Sequence, residues 1–75
     1  MGSLSATFSH ADNLALEDMH DQLRRVVVHT EHVLDLIETE NVAALPKMEL
    51  SLRSLKAHVV AALGDFRDIA ERRAV

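Results

Sequence analysis

Residues 45–69 read LPKMELSLRSLKAHVVAALGDFRDI, and within them Leu45, Met48, Leu52, Leu55, Val59, Ala62, Phe66 and Ile69 keep a 3-4-3-4 spacing. That spacing lines apolar side chains along one edge of an α-helix and fits no strand, whose period is two. An edge of this length must be covered by other helices. Pro46 is tolerated only within the first turn of such a helix, where its missing N–H has no partner to lose. Asn41 is a natural terminator for whatever precedes it, so the connection falls within residues 41–46. At the far end Arg67, Arg72 and Arg73 suit the negative end of the helix dipole.

The covering helix is expected over residues 12–40. Its stripe comprises Leu16, Met19, Leu23, Val26, Val27, Val33, Leu34 and Ile37, with Thr30 in the middle. Ser9 and Asp12 have the spacing of a capping box, with Asp in the place more often held by Glu. The acidic residues Asp12, Glu17, Asp18 and Asp21 open this helix, and an antiparallel hairpin sets them beside the basic end of the second. The stripe is wider than one neighbour can cover. The expected fold is therefore all-α: an antiparallel two-helix hairpin over residues 12–75, dimerising into a four-helix bundle about a two-fold axis, after a flexible arm over residues 1–11. Interface residues are expected at Leu23, Val27, Leu34, Ile37, Leu52, Leu55, Val59 and Phe66. Leu14, Val28 and Leu36 fall on the opposite side of the first helix, as a second contact surface or as ordinary exposed apolar residues. Gly64, the only glycine inside the second helix, is a place where another helix could approach closely.

Size points the same way. A chain of 75 residues buries only about 60% of the surface its unfolded form exposes, and domains this small usually add disulfides, a metal or a partner. With no cysteine, disulfides, thiolate zinc sites and cysteine nucleophiles are excluded. The net charge of -4 and the lack of Trp and Tyr speak against nucleic acid, whose binders need cationic surfaces and stacking platforms. The longest apolar runs, Val26–Val28 and Val59–Leu63, fall far short of the ~20 residues that span a bilayer. Residues 1–7 have neither the charge nor the apolar stretch of a signal peptide. The reading is a cytoplasmic protein with no membrane or nucleic-acid partner.

Chemistry rests on five histidines: His10, His20, His29, His32 and His58. On a helical wheel His20 and His58 edge the apolar stripes, His29 lies further out and His32 opposite the core. Glu17 and His20 have the i, i+3 spacing of ligand pairs in di-iron bundles, but the second helix has no inward carboxylates to complete one. His29 and His32, one turn apart, read as solvated side chains. Phe8-Ser9-His10 faintly resembles a kinase phosphoacceptor box, which the following Ala-Asp-Asn does not continue. There is no nucleophile motif or glycine-rich phosphate loop, and two helices offer little concave space, so no catalytic residue is assigned and no enzyme is expected.

Between Asp18 and Asp65, the stretch MHDQLRRVVVHTEHVLDLIETENVAALPKMELSLRSLKAHVVAAL resembles the first two helices of hemerythrin-like (HHE) cation-binding domains. His20 matches the histidine that opens their first helix, and Leu55-Lys-Ala-His58 matches the L-x-x-H segment of their second. The resemblance covers about half of such a domain. Ala62 stands where the family places a carboxylate, and the third and fourth helices are absent. It implies an alternative in which His20 and His58 bind iron or another divalent metal as a sensor or carrier. The leading expectation remains a non-enzymatic interaction and oligomerisation module (an adaptor, chaperone or regulatory subunit) with no cofactor, paired with itself and open to another protein through a helix-binding surface.

Overall fold

The computed structural model describes residues 8–74. Two long helices, α1 (His10–Glu38) and α2 (Leu45–Ala74), are joined by a single 3-10 turn at Val42–Ala44. The Ser9 side chain accepts the Asp12 N–H at 3.1 Å and the Asp12 carboxylate accepts the Ser9 N–H at 3.4 Å, so the capping box forms as its spacing predicts. Helix α1 thus starts at His10, two residues earlier than expected, inside the stretch read as an arm. The rest of that arm, residues 1–7, lies outside the described residues.

Helix α1 ends at Thr39, whose N–H still reaches the Asp35 carbonyl at 3.2 Å. Glu40 then takes a positive φ of 50°, a left-handed conformation that stops the helix and turns the chain. Asn41 does not close α1; its side chain accepts the Ala43 N–H at 3.0 Å and caps the 3-10 turn. Pro46 sits in the first turn of α2. The helices run antiparallel, with Arg72 of α2 donating to Asp12 of α1 at 2.6 Å near one end and His58 meeting Gln22 at 2.6 Å further along. The Arg73 guanidinium lies 4.6 Å from the centre of the Phe8 ring, holding the start of the described chain against the end of α2.

The two helices meet along a 3-4 repeat of their own. On α1 the covered positions of this repeat are Asp12, Ala15, Met19, Gln22, Val26, His29, Val33 and Leu36, and on α2 they are Met48, Ser51, Leu55, His58, Ala62, Asp65 and Ile69; Leu16, Ser54 and Ala61 beside the repeat are half-buried as well. Only Ala44, Ala62 and Ile69 are buried apolar residues among those described, and no large side chain is fully enclosed. Half of the apolar edge read from the sequence (Met48, Leu55, Ala62 and Ile69) meets α1. The other half faces solvent, with Leu45 57%, Leu52 51%, Val59 42% and Phe66 56% exposed. The edge therefore lies partly against α1 and partly toward solvent on one side of the hairpin. Leu36, expected on the far side of α1, is half-buried next to Ala44, because α2 lies against that side of the helix.

Candidate interaction surface

Let the covered positions of each helix be a and d of a heptad, with a at Met19, Val26 and Val33 of α1 and at Met48, Leu55, Ala62 and Ile69 of α2. The position beside a, called e, then holds Leu16, Leu23, Thr30 and Ile37 on α1 and Leu45, Leu52, Val59 and Phe66 on α2. In an antiparallel pair of right-handed helices the two e rows lie on the same side of the plane through both axes. They form one face with Val27, Leu34 and Leu63 along its borders. The opposite side, flanking d, carries Asp18, Arg25 and His32 from α1 and Lys47, Ser54 and Asp68 from α2. The row of large apolar side chains is on the e side; the positions flanking d are polar or small, with Leu14, Val28 and Leu50 exposed further round.

Seven of the eight residues expected at an interface lie exposed on this apolar face: Leu23, Val27, Leu34, Ile37, Leu52, Val59 and Phe66. Leu55 is half-buried between the helices and borders it. Leu14 and Val28 remain exposed on the outer side of α1, without Leu36 to complete a patch. Gly64 is also outside the helix contact: a Cβ there would meet nothing within 4 Å.

The d row holds polar side chains that lie outside the apolar stripes of the sequence. His58 Nδ1 and the Gln22 carboxamide oxygen are 2.6 Å apart, and His29 stacks on His58 with ring centres 5.5 Å apart and planes 14° from parallel. His29 is thus turned inward and not outward. The signal was present at seven-residue intervals, in Gln22 and His29 on one helix and in Ser51, His58, Asp65 and Arg72 on the other. Below them Asp65 faces Asp18. When protonated it hydrogen-bonds the Asp18 carboxyl, and that bond, then burial, then the charges of Asp18 and Asp68 hold it above the usual carboxylate range. Ionised, its buried Oδ2 has no donor among the described residues. Asp12 is displaced the other way, chiefly by its bond to Arg72.

His20 and His58 are not brought together. Gln22 faces His58, and His20, two residues earlier, is turned about 200° from it around the helix and is exposed. Among the described residues no three His, Asp or Glu side chains converge as metal ligands, and no helix is long and apolar enough to cross a membrane. Comparison with family models, curated proteins and solved structures finds no match for this chain.

Proposed function

We propose that this chain is a non-enzymatic helical interaction module that pairs with a second copy of itself through the apolar face, completing a four-helix bundle. The observation that carries the reading is the face itself: between Leu16 and Phe66 every e position but Thr30 holds a large aliphatic or aromatic side chain, and Leu23, Ile37, Leu45, Leu52, Val59 and Phe66 are about half exposed on one side of the hairpin. Exposed contiguous apolar surface on this scale marks a place where another protein sits. Its size fits a second copy, because the hairpin spans 51 by 24 Å, on the order of 1,200 Å², against ~800 Å² per partner in a standard interface. The total accessible surface of 5821 Å² also exceeds the ~4,600 Å² typical of a compact monomer of 8.3 kDa.

Val59→Asp tests the reading, since it sets a charge in the middle of the face and would bury it without a partner. Sedimentation of the parent protein should give a dimer, and Val59→Asp should give a monomer that has lost most of its helical circular dichroism. A parent chain that sediments as a folded monomer at high micromolar concentration would falsify the proposal. A soluble, fully helical Val59→Asp monomer removes the claim that folding requires the partner.

A further inference from the structure

Resting on the self-pairing proposed above, we infer that the two-fold axis of the dimer runs along the helices, so that both turns lie at one end and α1 of each copy lies beside α2 of the other. The apolar rows permit two arrangements, and the charges beside them favour one. Contacts across the hairpin fix the register within one copy: Asp12 with Arg72, Gln22 with His58. In this register the e layers pair Leu16 with Phe66, Leu23 with Val59, Thr30 with Leu52 and Ile37 with Leu45. An axis parallel to the helices preserves height, so each layer meets the same layer of the second copy.

The outer border of the face then decides. Along it the parallel axis brings Glu17 level with Arg67 of the second copy and Glu31 level with its Arg53, each pair occurring twice by symmetry. Arg53 already bonds Glu49 one turn back at 3.0 Å and would take Glu31 into a three-member network. Lys56 meets Val27, and Glu49 meets Leu34, so the border has no facing like charges. An axis perpendicular to the helices, with the apolar layers kept in register, instead lays α1 on α1 and α2 on α2. It offers Arg24 to Glu31, but sets Glu17 opposite Glu38 and Lys56 opposite its own copy. Like charges at close range select against an arrangement as effectively as attraction selects for one.

The chain contains no cysteine, so Val42→Cys places a single nitroxide label per copy in the turn, at a residue 78% exposed. Dipolar spectroscopy, with the mass measured on the same sample, separates the outcomes. The parallel axis predicts a label separation of about 15–25 Å, because bundle neighbours lie ~8–10 Å apart. A dimer whose labels are separated by about the 51 Å length of the hairpin overturns the inferred axis and leaves self-pairing standing. A monomeric mass with no dipolar coupling overturns self-pairing itself.

Discussion

Asp12 and Asp65 both lie along the seam between the helices, one beside a guanidinium and the other beside a second carboxyl. Their responses to protons have opposite signs. Asp12 is held below its ordinary value of 3.8, so its contribution to stability is complete above that pH and is lost as the pH falls through the lowered value. Asp65 is held above 3.8, so its ionisation in the folded state costs nothing below that pH, and the cost develops as the pH rises through the raised value. Asp65→Asn removes this cost and can still bond Asp18. It should raise the melting temperature at pH 7 by a few degrees and leave it nearly unchanged near pH 3, as thermal melts at the two pH values would show.

At the scale of the element, each helix carries its own boundary signals. Ser9→Ala removes one half of the capping box and should cost about 1 kcal/mol, read as a lower urea midpoint with an unchanged slope. Gly64 lies in the interior of α2 with open space around its Cα, so nothing in the hairpin requires a glycine there. Gly64→Ala should stabilise by about 0.8–1 kcal/mol through helix propensity alone, measured by the same denaturation. The ion pairs Asp21–Arg25 and Glu49–Arg53, each spaced i, i+4 and well exposed, contribute only tenths of a kcal/mol and set no boundary.

For the whole molecule, the radius of gyration of 16.7 Å stands against ~11 Å for a compact chain of this length. A rod of two helices has little interior, and among the described residues the three buried apolar side chains include two alanines. Covering the seven exposed residues of the expected interface would add roughly 1 kcal/mol each, about half the value of burying a wholly exposed side chain. The sum is comparable to the entire stability of a small domain, ~5–15 kcal/mol. Stability should therefore follow protein concentration: dilution from about 100 to 1 μM should lower the melting temperature by several degrees, as mass action requires of a dimer. A melting temperature independent of concentration over that range would count against the self-paired bundle.

The sequence specifies both helices to within two residues at each boundary, the turn between them and the antiparallel return. Those features are local: the 3.6-residue period, the Ser9–Asp12 box and Pro46 act within one or two turns of chain. It also shows which residues form the apolar stripe of each helix. Which part of each apolar stripe meets the other helix and which faces outward emerges only when the helices pack. That choice turns on a rotation of each helix of about 50° about its own axis, one heptad step. It brings Gln22, His29 and Asp65 into the seam and leaves Leu23, Leu52, Val59 and Phe66 outside. No local signal encodes that rotation, because it is the summed result of packing over eight layers.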